Sequence, residues 1–194
     1  VDVAELGVDM LCLSAHKFHG PKSTGVLYIR KGVRLPALIT GGGHENGKRS
    51  GTENIANIVG LTEALALSME RMPEEGPRVA AMRDRLMDEL TKRIPYSYST
   101  GDREERLPGI ASIIIEYIEG EAMTLMMDAA GIAVSSGSAC SSGSLDPSHV
   151  LLALGKSQDE CRGVLRISFG HETTRDDLDG FVEALASILD EKDR

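Results

Sequence analysis

Short apolar runs alternate with helix-periodic segments along this chain, and that alternation limits its fold more than any other feature. Met10 to Ala15 and Gly25 to Arg30 are apolar or β-branched runs bounded by Gly, Pro or charged residues, and they read as buried strands with a turn between them. Ile55, Ile58, Val59, Leu65, Ala66 and Met69 then recur at helical spacing behind Thr52, and this helix is expected to end near Met72. Two prolines and a glycine in Pro73-Glu74-Glu75-Gly76-Pro77 predict a linker, because Pro lacks the N–H that a helix needs. Val79, Met82, Leu86, Leu90 and Ile94 mark a second amphipathic helix, and Ala111 to Tyr117 reads as a central strand. Glu121 to Ala130 is helical, with Gly131 as its stop. Ile132 to Val134 reads as a strand, and Asp146 and Pro147 as cap and first residue of a helix over Ser148 to Leu154. Val164 to Phe169 is a further strand, and Thr174 and Asp177 form a capping box for a last helix burying Leu178, Phe181, Val182, Leu185, Ile188 and Leu189. Such alternation predicts an α/β layer architecture, divided as residues 1–72 and 73–194.

The core has to be aliphatic, since Trp is absent and aromatic residues make up only 4% of the chain. Thirty acidic residues against 21 basic ones give a net charge of -9, which disfavours nucleic acid and anionic lipid as partners. No apolar run reaches the roughly 18 residues of a membrane span, no signal peptide opens the chain, and the expected location is the cytoplasm. Cys12, Cys140 and Cys161 form an odd, sparse set without metal-ligand spacing, so neither a disulfide framework nor a resident metal is expected. The first residue is Val1, which suggests a fragment of a longer protein.

Cys140 lies in Ser135-Ser136-Gly137-Ser138-Ala139-Cys140-Ser141-Ser142-Gly143-Ser144, a run too polar to anchor itself in a core. The backbone there reads as flexible and the thiol as reachable, either a reactive cysteine or an incidental one. Cys12 reads as core, Cys161 as incidental on a polar helical turn, and Met123, Met126 and Met127 as helix packing. His19, His44, His149 and His171 read as ordinary hydrogen-bonding or surface residues.

Ser14-Ala15-His16-Lys17 follows an apolar strand, which puts Lys17 at the end of a sheet, where α/β folds gather their cofactor sites. A lone lysine would be a solvated charge, but this one stands ahead of Gly41-Gly42-Gly43-His44-Glu45, Arg49-Ser50-Gly51-Thr52, the Cys140 run and Arg166 within Val164-Leu165-Arg166-Ile167-Ser168. In that order these motifs closely resemble the cysteine desulfurases of the NifS/IscS type, within the class V aminotransferases. The resemblance covers nearly the whole chain.

The resemblance implies the pyridoxal 5′-phosphate (PLP) dependent transferase fold of type I, aspartate aminotransferase-like. Residues 1–72 would then end the large PLP-binding domain, and residues 73–194 would form the small C-terminal α/β domain carrying the cysteine. It implies Lys17 as the Schiff-base lysine, Ser14 and His16 as cofactor contacts chiefly at the phosphate, and Thr52 reaching the phosphate of the other subunit of a homodimer. A hydroxyl, an imidazole and a Gly-rich backbone are suitable partners for a phosphate dianion, although Thr52 also reads as the N-cap of its helix. Arg166 would clamp the substrate carboxylate; its alternative is a surface ion pair at a strand end.

The reaction implied is removal of sulfur from L-cysteine to give L-alanine and a persulfide on Cys140, with Lys17 moving the Cα proton. Sulfur would pass to an acceptor protein such as an iron-sulfur scaffold, with transient cluster contact at Cys140. No basic residue adjoins Cys140, so groups distant in sequence must favour its thiolate. A selenocysteine lyase or related PLP enzyme is one alternative, and a sulfur-carrying or docking module without catalysis is another. In the family pattern the aspartate at the pyridinium nitrogen, the histidine on the ring and the main phosphate turn precede the position of Val1. The chain by itself is therefore expected to be inactive.

Overall fold

The computed structural model describes residues 1–137 and 147–192. It divides into two compact units, Val1–Pro73 and Glu74–Arg194.

The first unit opens with a short helix, α1 (Val3–Leu6), started by Asp2, whose carboxylate accepts from the N–H groups of Ala4 at 2.7 Å and Glu5 at 3.2 Å. Strands β1 (Met10–Ser14) and β2 (Gly25–Ile29) then pair antiparallel, with Met10 opposite Ile29 and Ser14 opposite Gly25. A 3₁₀ turn, Ala15–Phe18, follows β1 directly. Gly25 is required by close approach, since a Cβ there would lie 2.7 Å from the Leu13 carbonyl oxygen. The strands are not buried as their composition predicts: Met10, Cys12 and Ser14 are exposed, as are Gly25, Val26 and Leu27. A two-stranded ribbon has two faces and little of its own to cover them. Cys12 is accordingly an exposed thiol rather than a core residue.

Helix α3 spans Ile55–Arg93, after a short helical turn, α2 (His44–Gly47). It therefore passes through Pro73 and Pro77, where the sequence predicts a linker. Each proline removes one intrahelical hydrogen bond and costs about 3 kcal/mol in a helix interior. Both are exposed, so water can serve the carbonyls left without partners, and buried side chains hold the helix on either side: Leu61 before them, Val79, Met82, Leu86 and Leu90 after.

The second unit is built on a three-stranded antiparallel sheet in the order β3 (Ser97–Ser99), β4 (Ile110–Ile115), β5 (Val164–Ser168). Its central strand ends in a continuous apolar run, Ile113 to Ile115, because both faces are covered there. Ala111, Ile113 and Ile115 join Leu165 and Ile167 in the main core with Leu86 and Leu90 of α3, Met123 and Met127 of α4 (Gly120–Ala129), and Leu178, Phe181, Val182 and Leu185 of α7 (Arg175–Lys192). Ile114 and Val164 belong to a smaller cluster with Leu151 of α5 (His149–Ala153), Cys161 of α6 (Gln158–Arg162) and the Tyr98 ring. Cys161, taken from sequence as incidental, is thus a core residue.

The capping box of α7 forms as expected, the Thr174 N–H donating to the Asp177 carboxylate at 2.8 Å and the Asp177 N–H donating to the Thr174 hydroxyl at 3.2 Å. Ile132 to Val134 do not form a strand; instead Ser135 and Arg166 make an isolated antiparallel bridge, with N–H to carbonyl distances of 3.2 and 2.7 Å. Helix α5 starts at His149 with Ser148 in the cap position, while Asp146, the predicted cap, lies outside the described residues. So does Cys140.

Candidate functional site

In the first unit the candidate residues Ser14, His16 and Lys17 stand at the end of β1 and in the turn after it. A turn of four residues cannot hold itself, and its fixed point is Ala15, which is fully buried. The Ala15 N–H donates to the Thr24 carbonyl at 3.0 Å, and its carbonyl accepts from Gly20 at 2.8 Å. His19 reverses the chain with φ of 67°, and a Cβ on Gly20 would lie 2.9 Å from the Ala15 Cβ. The first half of α3 backs this segment: the Ser68 hydroxyl donates to the Phe18 carbonyl at 3.4 Å, and a Cβ on Gly60 would meet Pro21 at 2.8 Å.

Against this fixed backbone the side chains of Ser14, His16 and Lys17 are exposed, and none makes a hydrogen bond or ion pair with a described residue. A hydroxyl, an imidazole and an amine are thereby presented together from one anchored turn. Such a donor set fits a small anionic carbonyl compound, which the amine can bind covalently and the other two groups can hydrogen-bond.

Thr52 belongs to the same unit and is also exposed and without a hydrogen-bond partner among the described residues. It is not the cap of α3. Asn54 has that role, its side-chain oxygen accepting from the Asn57 N–H at 3.3 Å while Ile58 donates to the Asn54 carbonyl at 3.0 Å. Asparagine is a favoured cap, and its place directly before the apolar periodic run carries that signal in the sequence. The Gly-rich stretch leading to Thr52 is held internally. Ser50 donates to the Thr40 carbonyl at 2.8 Å, and His44 accepts from the Gly51 N–H at 3.4 Å, while Glu45, Asn46 and Gly47 all take left-handed φ values.

Arg166 belongs to the second unit, in the interior of β5 and opposite Ser112. By strand alternation it shares the sheet face of Val164. Its backbone carries the bridge to Ser135, three residues ahead of the first residue left undescribed. The guanidinium forms no ion pair among the described residues, so the alternative of a strand-end salt bridge is not realised there. The four residues of the first unit and Arg166 are thus presented by separate units, each with its own anchor. The described residues contain no cluster of His, Cys, Asp and Glu fit for a metal ion.

The family model for aminotransferase class-V matches residues 1–181 of this chain. The chain belongs to the class-V aminotransferase family. This class-V member is 50% identical over 182 residues to a cysteine desulfurase of Gluconacetobacter diazotrophicus, covering 94% of the chain and 46% of the relative. It is 46% identical over 194 residues to the cysteine desulfurase IscS of Clostridium botulinum, covering 99% of the chain and 49% of that protein. The solved structure of a NifS-like protein from Rickettsia africae superimposes with a TM-score of 0.87 at 30% identity, covering 98% of the chain and 50% of that structure. The fold is therefore that of the NifS-like PLP-dependent enzymes, type I, and the class-V chain spans about half the length of the relatives it matches.

Proposed function

We propose that this chain supplies the lysine, the carboxylate clamp and the sulfur-accepting cysteine of a PLP-dependent cysteine desulfurase. The observation that carries the reading is the anchored turn, which presents Ser14, His16 and Lys17 without partners among the described residues in a chain of this family. PLP, when bound, supplies an electron sink for the carbon skeleton of the substrate. Lys17 would hold it by its amine, Ser14 and His16 would donate to its phosphate, and Thr52 would reach the phosphate of the partner subunit in a homodimer.

The chain's own groups have definite tasks in this reading. Arg166 binds the carboxylate of L-cysteine through its fork of N–H donors. Lys17 would take the Cα proton of the substrate and later return a proton to the product. The Cys140 thiolate attacks the substrate sulfur, forming an S–S bond as the substrate Cβ–S bond breaks. Those electrons and a proton complete L-alanine, and Cys140 is left as the persulfide, so no outside oxidant is needed. An acceptor protein such as an iron-sulfur scaffold then takes the sulfur. Residues 1–72 would close the large PLP-binding domain and residues 73–194 form the small one; the parting of the compact units at Pro73 supports that division. Among the described residues no helix is long and apolar enough to cross a membrane, in keeping with a cytoplasmic enzyme.

The test uses the intact enzyme and two variants. Lys17→Ala is expected to lose cofactor colour and sulfide release together, whereas Cys140→Ser keeps the colour and loses the persulfide seen by intact mass. Persulfide on Cys140 in the Lys17→Ala variant, formed from L-cysteine, would make the chain a carrier loaded from elsewhere. Preferential turnover of selenocysteine or cysteine sulfinate would replace cysteine as the substrate. The isolated 194-residue chain is expected to release no sulfide.

A further inference from the structure

The second unit contains three tyrosines, and they are treated differently by their surroundings. Tyr98 is satisfied: its hydroxyl donates to Glu160 at 2.5 Å, and the Lys156 ammonium lies 4.4 Å from its ring centroid and 3.4 Å from the same carboxylate. A tyrosine face beside a glutamate has thus captured a cation within the molecule itself.

Tyr96 and Tyr117 pair with each other instead. Tyr96 is 70% exposed and Tyr117 88% exposed, and their rings meet edge to face with centroids 5.7 Å apart. Neither hydroxyl is hydrogen-bonded and neither ring carries a cation among the described residues. Both sit in turns at one end of the sheet, Tyr96 just before β3 and Tyr117 just after β4. Both also have left-handed backbone, with φ of 58° and 67°, an unusual conformation for a bulky side chain.

The backbone beneath them is fixed. Glu116 donates its N–H to the Tyr96 carbonyl at 3.1 Å, and Ile115, just before it, is buried and donates to the Gly163 carbonyl at 3.0 Å. Two exposed aromatic rings are therefore held rigidly in each other's company, and rigid tyrosines give contact area at little entropic cost. The turn that carries Tyr117 reads Glu116-Tyr117-Ile118-Glu119-Gly120-Glu121. None of its three carboxylates makes an ion pair among the described residues. An exposed aromatic pair on a turn that also carries three carboxylates without ion pairs among the described residues is complementary to a cation on a flexible or planar side chain.

We propose that the Tyr96–Tyr117 corner is a docking site for a partner protein that presents an arginine- or lysine-bearing segment. The inference is independent of the sulfur chemistry, because it uses neither Lys17 nor Cys140. The carboxylates of the Tyr117 turn set the sign of the partner, and the rings supply the contact area.

Fluorotyrosine incorporated into the intact protein gives one fluorine resonance for each tyrosine, and those of the four in this chain are assigned by single Tyr→Phe changes. The probe is an octapeptide of alternating glycine and arginine, with the same peptide carrying citrulline as its uncharged control. The Tyr96 and Tyr117 resonances are expected to broaden with a soluble gadolinium chelate and to shift saturably with the arginine peptide, while Tyr98 stays in place. The citrulline peptide leaves them unmoved. The triple change Glu116→Gln, Glu119→Gln and Glu121→Gln keeps the fold and weakens the arginine peptide by at least about tenfold, as does raised salt. Protection of both rings from gadolinium would mean that another part of the protein covers the corner, and the proposal falls. It falls equally if the citrulline peptide gives the same shifts, if neither ring responds, or if the glutamine variant binds within about twofold of the parent.

Discussion

Replacing Gly163 by alanine tests how the two faces of the small sheet are joined. Gly163 ends α6 with φ of -86° and ψ of 14°, a conformation open to any residue, so its requirement is space alone. A Cβ there would lie 2.2 Å from the Ile115 carbonyl oxygen and 3.2 Å from that of Ile118. The nearer contact is roughly 1 Å inside an ordinary C···O approach of about 3.3 Å. The obstacle is backbone, which cannot swing aside as a side-chain tip can. Relief requires the α6–β5 connection to lift, and that lengthens the 3.0 Å hydrogen bond from Ile115 to the Gly163 carbonyl. Overpacking of this kind costs about 1–3 kcal/mol and the strained hydrogen bond about 1 more, for a loss near 2–4 kcal/mol. Gly180→Ala is the matched control. It lies exposed in α7 with nothing within 4 Å of an added Cβ, so alanine is expected to stabilise by up to about 1 kcal/mol. Urea unfolding of the chain, followed by circular dichroism, gives both values from midpoint and slope. A loss below about 0.5 kcal/mol for Gly163→Ala would refute the steric argument, because surface substitutions fall in that range.

Three further outcomes are expected. The Glu160 carboxyl is drawn down to about 2, first by the Tyr98 hydroxyl and then by the Ser157 backbone, so its stabilisation is present above its ordinary value of 4.5 and is lost as pH falls toward 2. Glu160→Gln should flatten the acid limb of the stability curve in that window, and an unchanged limb would show that the carboxylate contributes nothing. Cys161 is only 4% exposed and burial pushes its thiol up, whereas Cys12 is exposed. Native labelling read by peptide mass should therefore mark Cys12 and spare Cys161 until denaturant is added; equal rates would contradict the packing. Arg78 donates to the carbonyls of His171 and Thr173 at 2.9 and 3.1 Å and to the Glu75 carboxylate at 2.7 Å. Arg78→Ala should cost about 1–2 kcal/mol and speed amide exchange near residues 170–174, and unaltered exchange there would count against this tether.

Elements whose signal is local and complete could be read from sequence. The apolar run of β4 and the capping box of α7 needed only their own residues; the box stands where the pattern puts it, and the strand, Ile110–Ile115, stops two residues short of its expected end at Tyr117. The Ser14–Lys17 turn was equally legible, because a strand ending in a short polar motif constrains its own neighbourhood. Burial was less so. Cys12 and Cys161 exchange their expected roles because exposure depends on what packs over a strand or helix, and one residue's type does not report that. The prolines of α3 misled for a related reason: propensity opposes the helix at Pro73 and Pro77, but buried side chains on both sides outweigh two missing hydrogen bonds. Strand β3 was invisible, since Ser97–Ser99 has no apolar alternation and exists by pairing with β4. The short helix α6 announces itself only through the Ser157–Glu160 capping box, a signal too brief to stand without the Tyr98 contact beneath it.

The proposed chemistry makes different demands on its groups, and the two units meet them by different means. An amine that must bind a cofactor and then move a proton needs a fixed origin, but four residues of 3₁₀ helix supply few hydrogen bonds of their own. The origin is supplied from outside the turn, by the buried methyl of Ala15 and its two backbone hydrogen bonds to Thr24 and Gly20. Only after that anchor is set can Ser14, His16 and Lys17 be left exposed and without partners among the described residues, since their positions no longer depend on contacts of their own. Arg166 needs no such device, because a residue interior to β5 inherits its position from the ladder with β4. The same ladder strand passes that order outward through the paired hydrogen bonds of Ser135, which fixes where the polar run toward Cys140 leaves the sheet. Ala15 and Ser135 are therefore positioning residues for the lysine and for the start of the run toward Cys140, and both act through their backbone hydrogen bonds.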